Sequence, residues 1–333
     1  MNIFIFDAEP WEKKLMKPAF KGQKVTFFEE ALPKVDPLKY QKAEIISGFI
    51  TSPVTAKTIQ ALPKLKMIST RSTGFDHIDL NETKKRGITV SNVPSYGENT
   101  VAEHTFALIL ALSRHVHKSY QRTLRQDFSV EGLRGFDLQG KTIGVVGAGK
   151  IGLHVIRIAK GFGMKVLAFD PHPNEFMAET LDFEYVSLNK LLSKSDIVSL
   201  HVPYNSKTHH LLNKDNIIKI KKGALIINTA RGGLIETEAL IKALDSNHLS
   251  GAGLDVLEEE QLLFEEQQLV RDKHTTPAEL AAITRNHTLV GRDNVVFTPH
   301  IAFYSQEAVE RITNTTIENI NNFIKGKKEN VVE

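Results

Sequence analysis

The chain is 333 residues long, enough for two domains that each bury a core of their own. Hydrophobic residues make up 41% and charged residues 24%, as in an ordinary globular protein, and 42 basic against 39 acidic residues leave a net charge of +3, which gives no nucleic-acid footprint. The absence of cysteine excludes disulfides, thiol catalysis and Cys-ligated zinc, and no apolar run approaches the roughly 20 residues of a membrane span.

In chain order, the first residues, Met1 to Asp7, read as a short strand without the basic start of a signal peptide, so the expected location is the cytoplasm. Apolar, β-leaning runs follow at 2–6, 24–28, 45–50 and 67–69, with short helices expected at 57–62 and 81–86. This is an α/β pattern without a glycine fingerprint. Residues 99–117 read as one long helix with Val101, Phe106, Leu108, Ile109 and Leu112 on its apolar positions and Asn99 or Thr100 as its cap.

A strand at 142–146 then leads into Gly147-Ala148-Gly149-Lys150-Ile151-Gly152, a helical run at 153–162 and a second strand at 165–169 that ends in Asp170. Strand, glycine turn, helix, strand and acid in that order form the dinucleotide-binding fingerprint in its full context. Gly147 permits the tight turn, Gly149 lets backbone N–H groups approach a pyrophosphate, and Gly152 lets helix and strand pack closely. The helix N-terminus presents unpaired N–H groups to phosphate charge. Asp170 is placed for the adenosine ribose hydroxyls, and Pro171-His172-Pro173-Asn174 offers no Arg or Lys for a 2′-phosphate, so the expected cofactor is NAD rather than NADP.

The βαβ rhythm continues with strands at 197–200, 224–228, 251–255 and 295–297 and helices at 213–219 and 236–245, which predicts a parallel, doubly wound sheet. The final helix, 305–324, is too long for a crossover and is inferred to return to the first domain. The expected fold is therefore a Rossmann-type domain at 100–299 inserted into a second, flavodoxin-like α/β substrate domain formed by 1–99 and 300–333. The polar segment 258–294 reads as an excursion on the surface or over the cleft. Lys325, Lys327 and Lys328 read as a solvated tail.

Three polar residues follow three successive strand ends: Arg231 in INTARGG, Glu260 in GLDVLEEE and His300 in FTPHIAFY. Loops at the carboxyl ends of such strands converge on the ligand cleft. Reduction of a 2-oxo acid needs a proton donor near neutral pH, which His supplies, and a carboxylate beside it favours the imidazolium form and fixes the ring. An arginine offers bidentate donors to a substrate carboxylate. Blander readings stand beside these. Most of the thirteen His residues should be surface or structural groups, an Arg after a strand is often an ion-pair residue, and Glu258-Glu259-Glu260 could be a solvated acidic face in which Glu259 and Glu260 look alike. His115 with His117, and His209 with His210, lack acid partners at ligand spacing, so no metal is expected.

Taken together, STGFDHIDL (72–80), SNVPSYGENTVAEHTFALIL (91–110), the fingerprint, HVPYNSKTHHLLN (201–213), INTARGG, GLDVLEEE and TPHIAFYS resemble the D-isomer-specific 2-hydroxyacid dehydrogenases over nearly the whole chain. The resemblance implies an NAD-dependent oxidoreductase, a cofactor domain inserted in a substrate domain, and a homodimer built around the long mid-chain helix. It implies that Arg231 orients the substrate, Glu260 supports the acid/base residue and His300 carries the proton. Lys150, Ile151, Val202, Pro203, Thr208, Thr229, Ala230 and Arg231 match cofactor contacts, and Asp255 matches an aspartate near the nicotinamide. Thr73 and Gly74 match backbone donors to the substrate carboxylate. Within the family, the long segment between Glu260 and His300, Tyr96 and Phe303 resemble the D-lactate branch, the two aromatics walling a small apolar pocket. Thr51 departs from the Tyr common at that place, which leaves room for larger 2-oxo acids such as phenylpyruvate, 2-oxoisocaproate or hydroxypyruvate. The phosphoglycerate branch fits less well, since no regulatory domain follows Glu333. A corepressor-like, NAD-sensing scaffold is the non-enzyme alternative; the intact Arg231, Glu260 and His300 set and the lack of disordered tails speak against it.

Overall fold

The computed structural model describes residues 1–264 and 276–332. Part of the expected excursion, 265–275, lies outside these described residues. The chain forms two compact units, one of Met1–Tyr96 with Ser305–Glu333 and one of Gly97–Tyr304.

In the first unit, β1 (Asn2–Ile5), β2 (Lys24–Phe27), β3 (Ile45–Gly48), β4 (Met67–Thr70) and β5 (Thr89–Ser91) form a parallel sheet in the order β2-β1-β3-β4-β5. That is the flavodoxin-type order. Alternation along each strand sends side chains to opposite faces. Ile3, Ile5, Ile45 and Met67 pack with Met16 and Ile320, whereas Phe4, Phe6, Ile46 and Ile68 pack with Ile59, Leu62 and Ile88. The helices are α1 (Pro10–Ala19), α2 (Ala56–Ala61), α3 (Leu80–Lys85) and the C-terminal α12 (Gln306–Ile324). Ser305 caps α12, accepting from the Ala308 N–H at 3.2 Å, and Ala308, Ile312, Thr316 and Ile320 give it a buried stripe at four-residue spacing. This stripe is why a helix following the last strand of the second unit belongs to the first.

The second unit holds α4 (Glu98–Ser113), α5 (Val116–Leu124), β6 (Thr142–Val146), α6 (Lys150–Gly161), β7 (Lys165–Phe169), α7 (Glu175–Leu181), β8 (Glu184–Tyr185), α8 (Leu188–Lys194) and β9 (Ile197–Leu200). It continues through β10 (Ala224–Asn228), α9 (Thr237–Asp245), β11 (Leu249–Leu254), α10 (Glu260–Phe264), α11 (Pro277–Val290) and β12 (Val295–Phe297). Its seven strands are parallel in the order β12-β11-β10-β9-β6-β7-β8, a doubly wound sheet whose direction of travel reverses between β6 and β9. One face packs Ile143, Val145, Leu225 and Ile227 against α4 and α6, and the other packs Val146, Val198, Ile226 and Leu254 against α8 and α9. Residues 97–99 and 300–304 group with this unit rather than with the first, because α4 starts at Glu98 and the backbone of 300–302 is tied to Asp255.

Several expected elements take a different form. The helix expected over 99–117 stops at Ser113, where the Ser113 carbonyl accepts from the Phe136 N–H at 2.9 Å and His115 turns to a left-handed φ of 51° before α5 begins. A Cβ on Gly135 would lie 2.0 Å from that same carbonyl, so a distant glycine sets the break. The cap of α4 is Gly97 instead of Asn99 or Thr100. The helix expected over 213–219 reduces to a 3-10 turn at Ile217–Lys219, since the side chains of Asn213 and Asn216 bond to backbone at Asp215, Asn213 and Leu211 and compete with helical pairing. Strands β5 and β8, three and two residues long, are too short to show a period.

Candidate active site

The carboxyl ends of six strands stand in one row. Phe169 pairs with Val146, Val146 with Leu200, Leu200 with Asn228, Asn228 with Leu254, and Leu254 with Phe297. Hydrogen bonding continues one step beyond it, from the N–H groups of Gly147, His201, Asp255 and Thr298 to the carbonyls of Phe169, Val146, Asn228 and Leu254 at 2.7–2.9 Å. Every chemistry-bearing residue of this unit singled out in the sequence therefore leaves the sheet from the same edge.

At the β6–α6 turn the three glycines answer to different needs. Gly147 has φ 97°, and a Cβ there would come within 2.8 Å of the His201 backbone. A Cβ on Gly152 would sit 2.0 Å from the Gly147 carbonyl oxygen, so helix and turn touch through its missing side chain. Gly149 has an ordinary φ of −77°, and a Cβ there would meet nothing within 4 Å. Neither strain nor internal packing asks for glycine at this exposed position; close approach of an external group to the backbone does. The turn thus fits a dinucleotide pyrophosphate, with the free N-terminus of α6 facing it. Asp170 accepts from the N–H groups of Ala148 and His172, both at 2.9 Å, one per carboxylate oxygen, which locks the acid to the glycine turn. Lys150 opens α6 with its ammonium 3.8 Å from Glu98. His201, beside the turn, bonds Ser199 Oγ through Nε2 at 2.7 Å, and burial lowers its pKa to about 3, so the ring is neutral.

At the other end of the row, Nδ1 of His300 meets Glu260 Oε1 at 2.6 Å, both side chains being less than one-fifth exposed. The second Glu260 oxygen accepts from the Leu257 N–H at 3.0 Å, which fixes the carboxylate and through it the imidazole ring. His300 adopts a left-handed φ of 56°. The loop is forced into that shape by Asp255, whose Oδ1 accepts from Thr298 Oγ1 and the Ile301 N–H at 2.5 and 2.9 Å and whose Oδ2 accepts from the Ala302 N–H at 2.8 Å. Asp255 is fully buried. Its carboxylate shapes the His300 loop. His104 of α4 joins the same network, with Nε2 2.9 Å from Thr298 Oγ1 and 3.5 Å from Asp255 Oδ1.

The three consecutive acids part company. Glu258 meets His210 at 2.6 Å, Glu259 meets Arg285 at 3.1 Å, and Glu260 alone meets His300. The left-handed φ of Glu259, 56°, separates its neighbours. The Arg231 turn abuts this segment: a Cβ on Gly232 would lie 1.9 Å from the carbonyl carbon of Leu257. Asn228 shapes that turn, accepting from the Ala230 N–H at 3.1 Å and donating to the Arg231 carbonyl at 2.9 Å, while Arg231 Nη1 donates to the Ala230 carbonyl at 2.9 Å.

Residues 106–302 match the family model described as D-isomer specific 2-hydroxyacid dehydrogenase, NAD binding domain. The chain is 38% identical over 331 residues to the D-lactate dehydrogenase of Escherichia coli K12, covering 98% of each. The chain belongs to the D-isomer-specific 2-hydroxyacid dehydrogenase family. It is an NAD-dependent oxidoreductase acting on small 2-hydroxy and 2-oxo acids. Among solved structures it is similar to the D-lactate dehydrogenase of Aquifex aeolicus in complex with NAD and lactic acid, with a TM-score of 0.87, 37% identity and coverage of 98% and 96% of the two chains. It is also similar to a D-2-hydroxyisocaproate dehydrogenase, with a TM-score of 0.83, 31% identity and full coverage of both chains.

The remaining residues flagged by the family resemblance divide between the units. In the second unit, Val202 is buried, with Cγ1 2.9 Å from where a Gly147 Cβ would stand, and Thr208 Oγ1 donates to the Pro203 carbonyl at 2.7 Å, closing the 203–208 turn. Thr229 Oγ1 lies 3.0 Å from Thr105 Oγ1, and the Phe303 ring packs edge-on to Tyr304 at 5.7 Å. In the first unit, Thr73 Oγ1 donates to the Val93 carbonyl at 2.8 Å, the Gly74 carbonyl accepts from Ser72 Oγ at 2.6 Å, and the Tyr96 carbonyl accepts from Arg311 Nε at 2.6 Å. Thr51 Oγ1 donates to Asp7 at 2.9 Å. Sequence reasoning missed His104, Thr298, Glu258 and His210; TPH after a strand was the available signal for Thr298, and the others have partners far along the chain. Among the described residues no group of three or more His, Cys, Asp or Glu could hold a metal ion, and no helix is long and apolar enough to cross a membrane.

Proposed function

We propose that this family member is a D-lactate dehydrogenase that reduces pyruvate with NADH and runs in reverse on D-lactate. The observation that carries the reading is the His300–Glu260 pair, held at 2.6 Å on the same strand-end row as the glycine turn. NADH, when bound, supplies the hydride that the carbonyl carbon accepts. In this reading His300 gives its proton to the carbonyl oxygen as that carbon is reduced, and Glu260 keeps the ring oriented and its charge compensated. Arg231 holds the substrate carboxylate. Gly147, Gly149, Lys150, Ile151, Gly152, Asp170, Val202, Pro203, Thr208, Thr229 and Ala230 hold the cofactor. The D-lactate dehydrogenases among its relatives support pyruvate as the acid.

A second reading, reduction of a larger 2-oxo acid, draws on Thr51, which is small where lactate-type members often carry Tyr and whose hydroxyl is tied back to Asp7. The similar D-2-hydroxyisocaproate dehydrogenase supports it. Purified protein, NADH and a panel of pyruvate, hydroxypyruvate, 2-oxoisocaproate and phenylpyruvate separate the two. The highest kcat/KM is expected on pyruvate, with D-lactate as product; a higher value on phenylpyruvate or 2-oxoisocaproate would overturn the lactate assignment and leave the family untouched.

The same proposal includes a cytoplasmic homodimer. Along α5 and the chain after it, Val116, Tyr120, Leu124, Phe128 and Val130 are 55–82% exposed, and the first three recur every four residues on one helix face. Exposed apolar side chains at helical spacing support an interface, and a second copy of the chain is the occupant proposed.

A further inference from the structure

We propose that Glu258 is a positioning residue for the reaction: anchored by His210, it fixes the 257–260 turn and so the place of the Glu260 carboxylate behind His300. The inference rests on the dehydrogenase reading above and concerns a residue two positions from Glu260 whose own carboxylate pairs with His210 and Thr237.

Glu258 is tied on every side. Its Oε1 lies 2.6 Å from His210 Nε2, and its Oε2 accepts from Thr237 Oγ1 at 2.9 Å and from the Thr237 N–H at 3.4 Å. Its carbonyl accepts from Asn286 Nδ2 at 2.9 Å. These partners come from the turn after β9, the start of α9 and the middle of α11, so one side chain and its carbonyl pin the 257–260 segment to three separate elements. Hydrogen bonds from His210 and Thr237 outweigh the cost of burial and hold the carboxyl below its usual range, so it is an anion that these donors grip.

The neighbours explain why such a grip is needed. Glu259 is left-handed at φ 56°, a conformation disfavoured for a glutamate that persists only where its surroundings impose it. Glu260 accepts from the Leu257 N–H at 3.0 Å, so the turn curls back on itself through the carboxylate that orients His300. On the other flank the turn has no slack. A Cβ on Gly232 would stand 1.9 Å from the Leu257 carbonyl carbon and 2.4 Å from the Glu258 nitrogen, which means the Arg231 turn is seated directly on this backbone. His210 is itself held, its N–H bonded to the Gly233 carbonyl at 2.9 Å and its ring stacked on His209 at 3.8 Å. Release of Glu258 lets Glu259 relax, and Glu260 moves with it.

The test is steady-state kinetics of the wild type, Glu258→Ala, Glu258→Gln and His210→Gln on whichever 2-oxo acid the wild type turns over best. NADH affinity and the deuterium isotope effect with NADH labelled at the transferred hydrogen are measured alongside. For Glu258→Ala, kcat should fall roughly tenfold to 100-fold, the scale for a catalytic group displaced by about 1 Å, with a larger isotope effect and NADH affinity within about twofold of wild type. Glu258→Gln, which keeps hydrogen-bonding atoms at both oxygen positions, should recover most of the loss. His210→Gln should move kcat in the same direction by less, and it stands as the probe if Glu258→Ala does not fold. Folded variants with unchanged kcat and isotope effect, in an active wild type, overturn the positioning role alone. So does a Glu258→Gln protein as impaired as Glu258→Ala with NADH affinity lost in step. A wild type inert toward every 2-oxo acid overturns the functional reading, and this one with it.

Discussion

Gly149 and Gly152 stand three residues apart in one turn, yet a methyl group would meet different surroundings at each. At Gly149 it projects into open space from a permitted backbone; at Gly152 it strikes the Gly147 carbonyl at 2.0 Å. Gly149→Ala is therefore expected to melt close to the wild-type temperature and to bind NADH at least about tenfold more weakly, roughly one charge-assisted hydrogen bond's worth. Gly152→Ala is expected to lose stability by about 1–3 kcal/mol or more, the range for overpacking. Calorimetry and NADH fluorescence titration read both, and a Gly149→Ala protein with intact affinity would remove the argument that this glycine serves a ligand. Asp170→Ala should also weaken NADH binding, in part by releasing the Ala148 N–H it holds at 2.9 Å.

At the scale of elements, α5 carries the clearest consequence. Its Tyr120 and Leu124 are 63% and 66% exposed, so Tyr120→Asp with Leu124→Asp should change the melting of an isolated chain little while halving the sedimenting mass; a wild type that already sediments as a monomer would refute the interface. Elements were legible where the signal was local. The strand runs 142–146, 165–169, 197–200, 224–228 and 295–297 carry their own β-branched and aliphatic pattern and form strands over those same residues. Elements decided from a distance were not legible. The break after Ser113 depends on a carbonyl capped from Phe136 and crowded by Gly135, and the lost helix at 213–219 depends on asparagine side chains that prefer the backbone. The candidate site shows the same split. His300 and Arg231 announce themselves by following strands, whereas the distinction among Glu258, Glu259 and Glu260 comes from one left-handed residue and partners at 210, 285 and 300.

The whole molecule gathers these parts by register. One row of paired residues, from Phe169 across to Phe297, brings the glycine turn, His201, the Arg231 turn, Asp255 and the His300 loop to a single sheet edge. Stability should carry a signature of that edge. Burial depresses the folded pKa of His201 to about 3, below the ordinary 6.5, so the unfolded chain binds a proton there that the folded chain refuses. That contribution is whole above pH 6.5 and is lost as pH falls toward 3; denaturant titrations at pH 7.5 and 5 should show His201→Gln sparing up to about 2 kcal/mol of the wild-type loss. The account as a whole turns on His300 as the proton carrier beside a bound dinucleotide. The most direct test is His300→Ala, with pyruvate turnover and NADH affinity measured on the same preparation. Turnover should fall by roughly a hundredfold to ten-thousandfold while NADH binds as tightly as to the wild type. Near-normal turnover in that variant would contradict the account, since the proton would then come from elsewhere.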